Sequence, residues 1–420
     1  MSRVRIAPAP LSGEVYAPPS KSAAHRAILC AALCRGECEV FPIDLSNDVK
    51  ATLRAITALG AGYKLQNRRL HIDSSGLFSK SAAAIDCGES GSTLRFLIPI
   101  AAAGGVQAVF SGHGRLPERP IGIYRELLPQ AGVHCETAGG LPLRVSGQLR
   151  PGVFTLPGDV SSQFVTGLLL ALPLLSGDSE LHLSSALESA GYVRMTISML
   201  QKFGVYVRET EEGYFIPGGQ QYRQSRCQVE GDWSQAAFFM AAGALSAPVT
   251  VKGLDFLTAQ GDSEIEPLLS RFGAGVHRTG DAVSVLPGEL TGCDTDVSQI
   301  PDLVPILAVV AALSKGRTVL TNAARLRLKE SDRLHAVAEG LNRLGAKVKE
   351  TPDSLIIDGV KRLHGGEVEG YNDHRIVMAL SIAAIRADGE VLITDGESID
   401  KSYPNFFDDY NTLGGMAHVI

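Results

Sequence analysis

AVAEGLNRLGAKVKE (Ala336–Glu350) reads as an amphipathic helix that ends in a leucine and a glycine and passes at once into a strand. Apolar residues at helical spacing precede Gly345, and alternating residues follow it. The same phrase recurs as ATLRAITALGAGYKL (Ala51–Leu65), IYRELLPQAGVHCE (Ile123–Glu136), MTISMLQKFGVYVRE (Met195–Glu209), IEPLLSRFGAGVHR (Ile265–Arg278) and FFDDYNTLGG (Phe406–Gly415). Its glycines are Gly60, Gly132, Gly204, Gly273, Gly345 and Gly414, separated by 72, 72, 69, 72 and 69 residues. Glycine suits the position after a helix, where the backbone turns left-handed. Units of about 70 residues exceed solenoid repeats, so each is a small α/β module.

Strand signals such as VTVKGL (Val249–Leu254), VSVLPG (Val283–Gly288) and SLIIDG (Ser354–Gly359) flank the helices. Three modules make a half, and the midpoint falls near Gln228–Gly231. The fold class is therefore α/β, with two pseudo-symmetric domains, one spanning 19–229 and the other 1–18 plus 230–420. A ligand is expected in the cleft between the halves.

The 420 residues carry 39 Lys+Arg against 45 Asp+Glu, a net charge of −6, which provides no general field for nucleic acid. Any anion site must be local. Met1–Pro10 has no apolar stretch behind its arginines and does not read as a secretory signal; no run reaches the ~18 apolar residues of a membrane helix. Seven cysteines, an odd number, point to reduced thiols and a cytoplasmic protein. Cys30, Cys34 and Cys38 lack a partner pair of metal-ligand spacing, so no metal is expected.

Several helix starts carry cations or hydroxyls where the helix dipole prefers an anion. Lys21, Ser22 and Arg26 lie in PPSKSAAHRAIL (Pro18–Leu29), with Ser22 and Arg26 on one face. CGESGSTLR (Cys87–Arg95) is a Gly/Ser turn without the signature of a nucleotide loop. Arg119 precedes Pro120; Ser161, Ser162 and Gln163 open an apolar helix; Lys329–Arg333 and Tyr371–Arg375 open two more. Asp302 interrupts an apolar run and is either a helix cap or a reacting carboxylate. Each segment read alone is also an ordinary capped helix with solvated charges.

Taken in order, PSKSAAHRA, ESGSTLRF, LPERPI, SSQF, ESAGYVRMT, GDWSQAAFF, LKESDR, NDHR and KSYPNFF resemble the 5-enolpyruvylshikimate-3-phosphate (EPSP) synthases, from Pro19 to Phe407. The resemblance implies an inside-out α/β barrel of three βαβαββ units per domain. It also implies transfer of the enolpyruvyl group of phosphoenolpyruvate to the 5-hydroxyl of shikimate 3-phosphate, without metal or organic cofactor, by a monomer. The implied ligands of shikimate 3-phosphate are Lys21, Ser22, Arg26, Ser161, Ser162, Gln163, Ser189, Tyr192, Asp302 and Lys329. Those of phosphoenolpyruvate are Lys21, Gly91, Ser92, Arg119, Gln163, Arg333, Arg375 and Lys401. Lys21, Asp302, Glu330 and His374 are the implied catalytic groups, Asp302 as base on the 5-hydroxyl and Glu330 as proton-transfer partner at the methylene.

Two positions depart from the family's commonest pattern: Glu89 and Arg325 stand where many members have Asn. A carboxylate at position 89 needs a cation to offset it, and Arg95, Arg119 or a recruited monovalent cation is expected to supply it. Arg325 would add a positive contact to the shikimate phosphate. The competing functions are a UDP-amino-sugar enolpyruvyl transferase, which usually carries a loop cysteine absent from Gly112–Arg119, and a non-catalytic anion binder, which gains nothing from Asp302 and Glu330.

Overall fold

The computed structural model describes residues 2–34 and 36–420. The chain forms two compact units, Pro19–Val229 and Met1–Pro18 with Glu230–Ile420. Each holds three four-stranded sheets. In Pro19–Val229, the strands Ala82–Asp86 and Gln107–Ser111 pair in parallel, then Leu143–Gly147 and Val133–Glu136 add antiparallel. All six sheets repeat this plan, one parallel pair followed by two antiparallel pairings. Along the chain the full module runs strand, helix, strand, helix, strand, strand.

The helices of Pro19–Val229 are α1 (Lys21–Leu33), α2 (Asn47–Ala58), α3 (Gly91–Ala103), α4 (Gly122–Leu127), α5 (Ser162–Ala171) and α6 (Ala190–Lys202). Those of the other unit are α7 (Trp233–Leu245), α8 (Ile265–Phe272), α9 (Val304–Ala312), α10 (Arg333–Arg343), α11 (His374–Ala384) and α12 (Phe406–Thr412). The odd-numbered helices are central. Every residue of α7, α9 and α11 is buried, as expected of helices apolar all round, and the three pack on one another. The even-numbered helices run into the repeat glycines, and all six of these adopt a positive φ between 75° and 110°. A side chain there would strain the turn into the next strand.

The cysteines are all free thiols. α1 ends at Leu33, and Cys38 lies in the strand Glu37–Phe41. Among the described residues no helix is long and apolar enough to cross a membrane.

Candidate active site

In Pro19–Val229 the expected residues gather at the starts of α1, α3, α5 and α6. Ser20 caps α1 by accepting from the Ala23 amide, and the Lys21 ammonium lies 2.8 Å from Asp48 at the start of α2. One turn on, Arg26 is 3% exposed. It donates to the Ser22 carbonyl (2.7 Å), the Thr196 hydroxyl (2.8 Å) and the Tyr192 carbonyl (2.9 Å). All three are neutral, and among the described residues no carboxylate lies within ion-pair distance of Arg26. Burial pushes its guanidinium down to about 10, so it stays charged near neutrality. A buried cation with only neutral acceptors is a standing cost that a bound anion offsets.

α3 starts at Gly91 and Ser92, and α5 at Ser162, capped by Ser161 through the Gln163 amide. Gln163 joins the two helices: its Nε2 donates to Ser92 Oγ (3.0 Å) and its Oε1 accepts from Arg95 Nη1 (2.6 Å). Arg95 also donates to the Pro120 carbonyl, next to Arg119. A Cβ at Gly91 would lie 2.7–2.9 Å from three atoms of the Arg119 guanidinium, so a side chain there would displace that group. Glu89 lies beside His113, 4.0 Å from its Nε2, and against Gly114; His113 was not foreseen as its neighbour. Ser189, with φ +55°, precedes α6, which carries Tyr192.

The other unit gathers its charges at the starts of α9, α10 and α11. Asp302 lies in the turn Pro301–Leu303, directly ahead of α9. Its carboxylate accepts from Arg333 Nη1 (2.9 Å) and Arg375 Nη2 (3.2 Å), with Lys329 Nζ at 3.7 Å. Three cations thus surround its carboxylate, more than a helix cap requires. Glu330 lies 2.6 Å from Arg333 Nη2. Asp373 accepts from Arg333 Nε at 2.8 Å and caps α11 through the Arg375 amide. Burial alone would lower the Arg333 guanidinium, but Asp373, Glu330 and Asp302 together raise it well above its ordinary value.

Arg375 also donates to Ser234 Oγ (2.9 Å), bringing the starts of α7, α9 and α11 together. His374 is buried beside Asp373, its Nδ1 3.8 Å from Oδ1. Lys401 donates to the Asn372 carbonyl at 2.5 Å. Tyr371 and Asn372 take φ of 54° and 48°, strained for residues with side chains, and the Asn372 amide is held by Asp395 at 3.0 Å. Arg325 donates to the Ser298 carbonyl. Asp48 in Pro19–Val229, and Ser234 and Asp373 in the other unit, hold these side chains without having been singled out from sequence. Asp373 was within reach, sitting inside the Asn372–Arg375 motif at a helix start.

Burial pushes the Lys329 ammonium down to about 8; Asp302 and Glu330 oppose this, and Arg333 and Arg325 add to it. With a quarter of its side chain in solvent, titration falls at or above that value. Lys329 is therefore cationic below about pH 8 and loses its charge above. On the role that the resemblance implies for Lys329, kcat/KM for shikimate 3-phosphate is expected to decline above about pH 8, with Lys329→Met giving a lower profile that is flat through that range.

The sequence profile of EPSP synthase (3-phosphoshikimate 1-carboxyvinyltransferase) matches residues 6–410. The chain is 46% identical to the 3-phosphoshikimate 1-carboxyvinyltransferase of Clostridium acetobutylicum, covering 100% of this chain and 99% of the relative. It is 43% identical to that of Clostridioides difficile, covering 99% and 98%. The solved structure of EPSP synthase from Acinetobacter baumannii superposes with a TM-score of 0.84 at 28% identity over 100% of both chains. The enolpyruvyl transferase NikO from Streptomyces tendae, at 19% identity and a TM-score of 0.82 over 100% of this chain and 99% of its own, shares the fold. With its profile matched almost from end to end and its relatives covered over their whole length, the chain belongs to the EPSP synthase family.

Proposed function

We propose that this chain transfers the enolpyruvyl group of phosphoenolpyruvate to the 5-hydroxyl of shikimate 3-phosphate, giving 5-enolpyruvylshikimate 3-phosphate and phosphate. The 5-oxygen adds to C2 of phosphoenolpyruvate while its proton leaves and C3 gains one. The tetrahedral adduct then breaks its C2–O bond to phosphate, and the new methyl group returns a proton as the double bond re-forms. Proton donors and acceptors and fixed cations are what such a sequence requires.

The observation that carries this reading is that Asp302 and Glu330 share one guanidinium, Arg333, with Arg375 and Lys329 also on Asp302. A protein that only binds anions gains nothing by placing two carboxylates among its cations. Asp302 takes the 5-hydroxyl proton, Glu330 serves the methylene carbon, and Lys21 and His374 lie at the reacting centre. Arg26, Ser22, Ser161, Ser162, Gln163, Ser189, Tyr192 and Lys329 hold shikimate 3-phosphate. Arg119, Arg333, Arg375 and Lys401, with Gly91 and Ser92, hold phosphoenolpyruvate, and Arg325 adds to the field around the shikimate phosphate. The chain acts as a monomer in the cytoplasm; sedimentation at the mass of one chain checks the first part.

The test follows the bond that breaks. With ¹⁸O in the enolic oxygen of phosphoenolpyruvate, the label is expected in the released phosphate. Label kept in the organic product would mean P–O cleavage and refute the mechanism.

Glyphosate is expected to compete with phosphoenolpyruvate. Gly91→Ala puts a methyl group against the Arg119 guanidinium, so the KM for phosphoenolpyruvate should rise and glyphosate inhibition weaken. Unchanged inhibition in steady-state assays would count against this placement.

A further inference from the structure

Behind the anion-facing surface of Pro19–Val229, α1 and α2 are joined by two rungs. Lys21 and His25 lie one turn apart on α1, and Asp48 and Thr52 one turn apart on α2. The outer rung is the ion pair of Lys21 with Asp48 at 2.8 Å. The inner rung is His25 Nδ1 to Thr52 Oγ1 at 2.7 Å. From Thr52 the contacts continue to Thr93 Oγ1 on α3 at 2.8 Å and on to Ser90 Oγ, the cap of α3, at 2.8 Å. All four residues are buried, with exposures of 1% or less.

Proton counting gives this chain a direction. Ser90 Oγ already accepts from the Thr93 amide and from the Thr93 hydroxyl, so Thr93 has spent its only proton. Thr52 must then donate to Thr93, and having one proton it can only accept from His25. The imidazole is thereby fixed as the Nδ1–H tautomer. Its Nε2, buried and without a hydrogen-bond partner among the described residues, carries the lone pair. Burial, with smaller contributions from Lys21 and Arg26, outweighs Asp48 and lowers the ring's pKa to about 3, so no second proton disturbs the chain near neutrality.

We infer that His25 is a positioning residue: as the neutral Nδ1–H tautomer it heads a one-way hydrogen-bond chain through Thr52 and Thr93 to Ser90 that sets the start of α3, with Gly91 and Ser92, against Lys21. This deepens the proposed function, on which its kinetic consequence rests, while the tautomer is independent of any reaction.

The test has two arms. In uniformly ¹⁵N-labelled, ligand-free protein, the His25 ring, identified by its loss in His25→Asn, should show a protonated Nδ1 and a bare Nε2 from pH 6 to 8. A protonated Nε2 would overturn the inference whatever the protein catalyses. In steady-state kinetics Thr52→Val, which keeps shape and breaks the chain, should raise the KM for phosphoenolpyruvate about tenfold. It should leave the Kd of shikimate 3-phosphate within about twofold, and Thr52→Ser should restore the parent KM. An unchanged KM in folded Thr52→Val, or no restoration by Thr52→Ser, would overturn it too. Should Thr52→Val not fold, the tautomer in the unaltered protein decides. A parent protein inactive with both substrates would instead count against the functional reading and leave the first arm standing.

Discussion

Asp302→Asn should lower kcat by about 10²–10⁴-fold, the usual worth of a positioned general acid or base. The substitution keeps shape and leaves an oxygen for Arg333 Nη1, now 2.9 Å from the carboxylate, but it removes the proton acceptor. Because a negative charge disappears near a phosphorylated substrate, the Kd of shikimate 3-phosphate should not weaken. Single-turnover rates with binding titrations separate the two effects, and a kcat within tenfold of the parent would remove Asp302 from the proton transfers. Glu330→Gln should also be severely impaired, and the double variant should fall short of the product of the two losses, since both carboxylates act through Arg333.

The second large effect is a contrast between two buried arginines. Arg333 neutralises Asp302, Glu330 and Asp373, so Arg333→Met leaves three carboxylates without their common partner. Breaking a buried ion pair on one side costs about 3–5 kcal/mol, equivalent to a fall in Tm of roughly 10 °C. Arg26 holds only neutral oxygens. Its removal relieves a buried charge while stranding some acceptors, and Arg26→Met should stay within about 1 kcal/mol of the parent while losing shikimate 3-phosphate binding. Thermal unfolding and titration calorimetry of the two variants check this. Equal destabilisation would show that Arg26, too, belongs to a structural ion network.

Much of the architecture could be read from six glycines. Each follows an amphipathic helix, and each requires the left-handed backbone that only glycine takes without strain, so their spacing exposes the module directly. The cations and hydroxyls at helix starts were legible for a similar reason, because charge of the wrong sign for the dipole stands out in a sequence. What stayed hidden depends on contacts between modules. Asp373 looks like a helix cap until Arg333, 40 residues away, is seen on it. Arg95 was read as a partner for Glu89, and only the fold shows its guanidinium orienting Gln163. His25 sits beside Arg26 with nothing in its local spacing to announce Thr52. Glu89 was read as needing a cation, yet the nearby His113 lies in a Gly-rich turn without periodicity.

The most direct measurement is phosphate release from purified protein mixed with phosphoenolpyruvate and shikimate 3-phosphate. Release that requires both substrates and equals the 5-enolpyruvylshikimate 3-phosphate formed is the predicted result. No release with both present, or equal release when shikimate 3-phosphate is omitted, would contradict it.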